Sequence, residues 1–484
     1  MILTRRRFTR LAGMTSAAMA LGRGDGGLRA QMRMPAGQPM PPPAPPIPAN
    51  AAPADFTLDI APYVLEASPK HRYPTVAYNG QVPGPLLRMK QGREVTVDIH
   101  NRSADTEIVH WHGLFLPVAT DGAMEEGSPA IAPGGSTRIA FTPDPAGFRW
   151  FHTHTFAGND MRKGQYTGQH GFLMIERDSE AAIASPARYD REVFLALHDW
   201  GGREMPSADG SAMPDYEVAT INGKMLGFGE PVKVKQGERV MMHVLNSSPT
   251  EVHWVALSGH TFHVVALDGN EVPQPAAVPM LRLGPAERVS AIVEMNAPGV
   301  WVLGEVRKHV YSMGMGIVVE YANATGAPKW IQPEDLVWDY AQFAAPAPAG
   351  GGTCAEPCVE GAAIEIPLVF DSKFQGHGNP EIWRINGKSY PDTDSPVLQA
   401  GKRYRLVMKN LSTDDHPIHL HRHTFEVTNV GGASMRGLHK DVLLVPAGRT
   451  STVEFTANHP GNTLFHCHQQ DHMDRGFMMV FRYA

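Results

Sequence analysis

The sequence predicts an all-β chain built as three tandem β-sandwiches of Greek-key type. Repetition is the first observation behind that expectation. Lys90-Gln91-Gly92-Arg93-Glu94-Val95 returns as Lys235-Gln236-Gly237-Glu238-Arg239-Val240, and again as Gln399-Ala400-Gly401-Lys402-Arg403-Tyr404. Each copy reads as a turn entering a strand, and each strand runs into an asparagine followed by small polar residues: Asn101, Asn246 and Asn410. Turns repeat too. Ile221-Asn222-Gly223-Lys224 recurs as Ile385-Asn386-Gly387-Lys388, and the units close on Pro145-Ala146-Gly147, Ala297-Pro298-Gly299 and His459-Pro460-Gly461. The third observation is composition: 48 glycines, 41 prolines and short apolar runs rich in valine and isoleucine suit β-domains. A repeat of roughly 150 residues made of short strands and turns implies three sandwiches, and 484 residues accommodate them. The formal net charge of −6 argues against nucleic acid as a partner.

Taken in order, residues 1–30 read as an address. Thr4-Arg5-Arg6-Arg7-Phe8 precedes a weakly apolar stretch from Leu11 to Leu21 and ends near Leu28-Arg29-Ala30. This resembles a twin-arginine signal with Arg5 and Arg6 as the pair. The resemblance implies the twin-arginine export machinery as a partner and a periplasmic mature protein starting near residue 31. The apolar stretch is too short for a permanent membrane span, and nothing later reads as one. Residues 31–54 form a Pro/Ala/Met tether whose proline density favours extended conformations. It reads as an export linker, though Met32, Met34 and Met40 could capture Cu(I) through soft thioethers. The first sandwich is expected over 55–180, the second over 181–344 and the third over 363–484. An Ala/Pro/Gly linker at 345–362 separates the last two. Cys354 and Cys358 sit in that linker; a local disulfide is the expectation, and a soft-metal site the alternative.

The chemistry concentrates near the C-terminus, in Phe465-His466-Cys467-His468 and His472. On a strand, side chains alternate faces. His466 and His468 then point one way and the Cys467 thiolate the other, so one strand touches two metal centres. A thiolate with imidazoles suits copper, and trigonal His₂Cys sites are electron-transfer sites. Overlaying the repeats on Asn101 and Asn410 matches His110-Trp111-His112 with His419-Leu420-His421, and puts Glu107 opposite His416. His152-Thr153-His154 matches His466-Cys467-His468, with Gly158 in place of His472. In the middle unit His253 matches His416, but Ala256 and Ser258 replace the histidine pair and Gly304-Glu305-Val306 replaces His-Cys-His. The middle sandwich is therefore expected to be metal-free, with His253, His260 and His263 structural or on the polar surface. A His-x-His pair on a strand places its imidazoles about 7 Å apart, too far for one ion unless others converge. Four such pairs, eight imidazoles, suit a multi-copper cluster at a domain interface. His416, Cys467 and His472 remain as a separate site.

With these motifs the chain resembles the three-domain multicopper oxidases of the laccase and cuprous-oxidase type, over essentially its whole mature length. The resemblance implies cupredoxin-like domains and four copper ions. His416, Cys467 and His472 would hold type 1 copper, and His110 and His419 type 2 copper. His112, His152, His154, His421, His466 and His468 would hold the type 3 pair. Phe477, ten residues after Cys467, stands where many bacterial relatives have methionine. It cannot ligate, which predicts a three-coordinate type 1 copper of raised potential; Met478, on a strand, would face the other way. Met473 stands where some bacterial relatives carry an acid. Asp121, in Thr120-Asp121-Gly122, resembles the family's other acid and is a proton-relay candidate, with a turn aspartate as the alternative.

The implied reaction takes electrons from a reducing substrate through an exposed His416 or His472 edge. They pass through Cys467 to His466 and His468, and O₂ is reduced to water. Substrates are expected to be phenols and aromatic amines, or Cu(I), to which Met313, Met315, Met473, Met478 and Met479 would offer soft contacts. The competing class is a periplasmic copper-binding or electron-carrying protein without O₂ chemistry, against which the eight histidines argue. A two-domain nitrite reductase is disfavoured by the third unit.

Overall fold

The computed structural model describes residues 41–177, 188–206, 212–345, 363–376, 379 and 381–484. Arg5, Arg6, Met32, Met34, Met40, Cys354 and Cys358 lie outside the described residues. The fold is the expected one, three cupredoxin-like sandwiches in tandem. Strand burial shows why the sequence folds this way. In Val95–Asn101 every second residue is buried, and in Arg403–Asn410 Tyr404, Leu406, Met408 and Asn410 turn inward. That is the period-two pattern of a half-buried strand.

In the first sandwich a sheet ordered His71–Tyr78, Phe56–Ser68, Val95–Asn101, Ser136–Phe141 faces one ordered Gly84–Lys90, His170–Glu176, Gly147–Thr153, Val109–His112. The third sandwich repeats this plan. A six-stranded sheet faces one ordered Val397–Leu398, Met478–Tyr483, Thr463–Cys467, His416–Leu420, Val442–Val445. The middle sandwich pairs six strands with five in the same order as the third. In each, the opening strand runs parallel to a later one, as Phe56–Ser68 does beside Val95–Asn101 and Ile364–Lys373 beside Arg403–Asn410. This is the signature of Greek-key rather than meander connection.

The repeated asparagines perform one task. Asn101, Asn246 and Asn410 are all buried, and each donates its amide to the carbonyl four or five residues ahead, at 2.8 Å from Asp105, Glu251 and Asp414. Each carboxamide oxygen accepts from the backbone of Ser103, Ser248 or Ser412 at 2.9 Å. The loop is thereby shaped by a side chain that satisfies backbone groups a strand cannot. The Asn-Gly turns behave alike, and a third copy that the two repeats at 222 and 386 do not advertise lies at Asn79-Gly80. Asn79, Asn222 and Asn386 have φ of 52°, 52° and 53°, and the following glycines 66°, 72° and 74°, the left-handed pair of a tight hairpin turn. The first sandwich has its own apolar core around Trp111, Phe151 and Leu173, while the second and third share a continuous one.

Candidate metal centres

Strand registers set the site. Ile418 pairs with Cys467 and His419 with His466; Val109 pairs with Thr153 and His110 with His152. In the middle sandwich Val255 pairs with Glu305 and Ala256 with Gly304. The same ladder positions thus carry His/His in the outer sandwiches and Ala/Gly in the middle one. The two histidine-bearing ladders face each other across the interface of the first and third sandwiches. His110 stacks on His421 at 4.0 Å between ring centroids, and His112 on His419 at 3.8 Å. All eight histidines of the four pairs are buried.

Their ring nitrogens converge. Ligand atoms of His154, His421 and His466 lie within 4.8 Å of one another, as do those of His110, His419 and His421, and those of His110, His112 and His152. The ring of His468 is 5.2 Å from His112 and 5.1 Å from His152. Backbone carbonyls fix which nitrogen faces inward. His110 Nδ1 bonds to the Asp121 carbonyl, His419 Nδ1 to that of Asp441, His152 Nδ1 to that of Thr153 and His466 Nδ1 to that of Cys467, at 2.7–2.8 Å. With Nδ1–H donated, Nε2 carries the lone pair. Nε2 of His110, His152 and His419, and both nitrogens of His154 and His468, are buried without a hydrogen-bond partner. Such orphaned groups are costly unless something satisfies them. Burial also holds His112, His152, His419, His421, His466 and His468 far below the ordinary histidine pKa and His154 down to about 3, so these rings are neutral. Neutral imidazole is the ligating form. The donor set fits a cluster of transition-metal ions.

On the opposite face of the strand Thr463–Cys467, Cys467 Sγ lies 3.8 Å from His416 Nδ1 and 3.6 Å from His472 Nδ1. All three ligand atoms fall within 4.8 Å, a trigonal His₂Cys set. Burial pushes the thiol pKa well up, so the thiolate needs a cation beside it. Phe477 is fully buried, its ring 4.8 Å from that of His416, whereas Met478 packs with Ala123, Leu464, Met473 and Val480 in a separate cluster. Neither Phe477 nor Met478 therefore offers a thioether to the His416–Cys467–His472 set. Of the two edges expected to admit electrons, His416 is fully buried with its Nε2 bonded to Ser412 Oγ at 2.7 Å, and His472 retains 6 % exposure. Trp383, unsignalled in the sequence, lies 4.0 Å from the His472 ring and 4.8 Å from that of His416.

Asp121 is brought to the cluster by Gly122, whose φ is +91°; a Cβ there would stand 1.9 Å from the Val109 carbonyl oxygen. The turn lies directly on the histidine strand, and only glycine permits it. The Asp121 carboxylate reaches His421 Nδ1 at 2.9 Å. Two buried acids that sequence reasoning missed stand beside it. Glu126 accepts from the Leu464 backbone at 2.6 Å, and burial, reinforced by the Asp121 charge, pushes its pKa well up. Glu125 is raised to about 7 by burial and lies 3.8 Å from His154 Nδ1. They fill the surroundings from the first sandwich, where Met473 from the third is packed in apolar company.

The unused copies of the His₂Cys position are filled by polar networks. In the first sandwich Glu107, raised to about 7 by burial, accepts from Thr153 Oγ1 at 3.2 Å and Gln169 Nε2 at 2.8 Å. In the middle one His253 lies between Asp199 at 2.8 Å and Glu305 at 3.0 Å, and Arg307 forks onto Glu305. His260 is part-buried and bonds to Ser258 and Tyr321, while His263 is exposed.

Comparison with known proteins agrees with this architecture. Three family models, each described as multicopper oxidase, match residues 63–180, 192–313 and 366–484. The multicopper oxidase MmcO of Mycobacterium tuberculosis is 28 % identical, over 83 % of this chain and 82 % of its own. A copper resistance protein A homolog of Pseudomonas syringae pv. tomato is 22 % identical over 84 % of this chain and 88 % of its own. Among solved structures, a multi-copper oxidase from Pseudomonas thermotolerans superposes with a TM-score of 0.69 at 24 % identity, over 89 % of this chain and 100 % of that one. Fet3p, a multicopper oxidase that functions in iron import, gives 0.72 at 19 % identity, over 89 % and 90 %. The chain belongs to the multicopper oxidases. It is a copper-binding oxidoreductase that takes electrons from a reducing substrate and delivers them to O₂, and the reading as a carrier without O₂ chemistry falls away.

Proposed function

We propose that this protein is a laccase-like oxidase of phenols and aromatic amines, exported to the periplasm by the twin-arginine route and loaded with four copper ions. Convergence of eight buried histidines, six of them with an unpartnered ring nitrogen and the other two, His421 and His466, with their Nε2 atoms 3.0 Å apart, carries the reading of the cluster. His416, Cys467 and His472 hold type 1 copper, and His110 and His419 hold type 2. His112, His152 and His468 hold one type 3 ion and His154, His421 and His466 the other. Bound there, copper supplies one-electron oxidation of the substrate and four-electron reduction of O₂ to water. The chain supplies position and protons. Cys467 links both sites, because its neighbours His466 and His468 enter the cluster while its Sγ faces the other way. Its carbonyl also holds His466 Nδ1, so backbone and hydrogen bond join the two centres. Asp121 fixes His421 and, with Glu126, forms the buried carboxyl pair that passes protons to the cluster.

The substrate reading rests on what surrounds His472. Met315, Met473, Met478 and Met479 are buried in apolar cores, which withdraws these four thioethers from Cu(I), and Met313 is partly buried against the core shared by the second and third sandwiches. The slightly exposed edge of His472, backed by the buried ring of Trp383, is where an organic reductant would deliver its electron. Steady-state O₂ uptake with a phenol and with Cu(I) tests this. A higher kcat/KM on the phenol is expected, and a higher value on Cu(I) would reject it. The export reading rests on Arg5 and Arg6; replacing both with lysine should leave the protein in the cytoplasm.

A further inference from the structure

One carboxylate at the junction of all three sandwiches takes no part in the chemistry above. Asp441 is fully buried, and three side chains converge on its carboxylate. Its Oδ1 accepts from Arg288 Nη1 at 2.6 Å and lies 3.1 Å from His112 Nε2; its Oδ2 accepts from Arg288 Nη2 at 2.7 Å and Arg149 Nη1 at 3.2 Å. Its backbone carbonyl is the one that holds His419 Nδ1. Arg149 and His112 come from the first sandwich, Arg288 from the metal-free second, Asp441 and His419 from the third. We propose that Asp441, held by the Arg288 fork, is the residue that positions His112 and His419 for metal binding, so that the middle sandwich builds the cluster without contributing a ligand. This rests on the ligand assignment above.

The tautomers give the reason. His110, His152, His419 and His466 give Nδ1–H to carbonyls and keep Nε2 for the metal side. His112 is reversed: its Nε2 faces Asp441, and its Nδ1 is the buried nitrogen left without a partner. The carboxylate therefore selects which nitrogen of His112 is free, as outer partners of metal-bound histidines do. A carboxylate free to rotate could not make that selection. Arg288 removes the freedom by gripping both oxygens, and is itself fixed through Nη1 to the Ala286 carbonyl and through Nη2 to the Asp268 carbonyl, each at 3.0 Å. Arg149 is tied to the Asp268 carbonyl as well. The chain makes room for this arrangement at Gly113, next to His112. A Cβ there would lie 2.6 Å from Asp441 Oδ2 and 3.0 Å from Arg288 Nη2, and φ is +83°. A buried ion pair of this kind is weak support for stability but a strong geometric constraint.

The test is copper affinity, read separately at the two centres by chelator competition. The blue band reports type 1 copper, and copper content with EPR reports the cluster. Asp441→Asn and Arg288→Lys should each weaken cluster copper by about 10–100-fold while type 1 affinity changes less than about twofold. Tyr340→Phe, which cuts the outer end of the same buried network at Glu287 (2.5 Å), should leave both affinities unchanged. Melting of the copper-free proteins is measured alongside, and if Asp441→Asn does not fold, Arg288→Lys, which keeps the charge, carries the test. Retention of cluster copper in Arg288→Lys would overturn the proposal. So would equal weakening at both centres, or an equal effect of Tyr340→Phe. A wild-type protein that binds no cluster copper would instead reject the ligand assignment.

Discussion

Phe477 decides the character of the His416–Cys467–His472 centre. Its ring is buried beside His416 and supplies no donor where a thioether could sit. A lost axial donor disfavours Cu(II) against Cu(I). Phe477→Met should therefore lower the type 1 potential by at least ~60 mV, a tenfold change in the Cu(II)/Cu(I) ratio for one electron; redox titration of the blue band measures it, and an unchanged or raised potential contradicts it. The role proposed for Asp121 concerns protons rather than electrons. Asp121→Asn keeps the bond to His421 but cannot carry a proton, so kcat should fall about a hundredfold while the blue band and KM for the reductant hold. Full activity in this variant would remove Asp121 from the relay.

Among the elements, the paired strands His416–Leu420 and Thr463–Cys467 and their two counterparts show what one ladder can become. The Cys467 position holds a thiolate in the third sandwich, Thr153 beside a buried carboxyl in the first, and Glu305 against His253 in the second. The last has a consequence for pH. Burial alone would lower the His253 pKa, but Asp199 and Glu305 outweigh it and raise it to about 9. A histidine raised above its ordinary 6.5 stabilises the fold fully below that value and loses the contribution as pH climbs through about 9. The shift corresponds to on the order of 3 kcal/mol. Melting of the copper-free protein should therefore drop between about pH 7 and 10, and His253→Gln should lower it at pH 6 and flatten that drop. A pH-independent wild-type melting point over this range would contradict it.

Much of this was legible because a period of two and a repeat of turns survive in the sequence. The His-x-His pairs, the cysteine between histidines and the replaced residues of the middle unit all sit at fixed distances from an asparagine or a turn, so overlay alone located them. Trp383, Glu125, Glu126, Asp441 and Arg288 carry no such marker. Glu126, Asp441 and Arg288 reach the site through contacts between sandwiches, and Trp383 and Glu125 through packing within one; a lone arginine at the start of a strand looks in sequence like any surface residue. Which of His416 and His472 keeps an edge is hidden for the same reason: what covers a ligand is decided by loops such as that of Ser412, not by the ladder.

At the scale of the whole molecule, the cluster exists only where the first and third sandwiches are clamped together. Asp268, Glu287 and Asp441 meet Arg149, Arg288 and Lys440 in a buried, charge-balanced network at that junction, and removing one partner of such a network costs about 3–5 kcal/mol. Arg422 adds a tie from the third sandwich to the Leu116 carbonyl of the first, at 2.7 Å. The proposed electron path runs through Cys467. Cys467→Ser should abolish the blue band and lower turnover at least a thousandfold, with cluster copper still bound, because it removes the thiolate whose backbone leads to His466 and His468; surviving turnover would place the electron path elsewhere.

The most direct test of the account is the copper content of the fully loaded protein, measured with its optical and EPR spectra. Four coppers per chain are predicted, one giving an intense blue band, one further EPR-visible ion, and a pair that is EPR-silent by mutual coupling, with O₂ consumed when a phenol is added. A single blue copper and no O₂ uptake would contradict it.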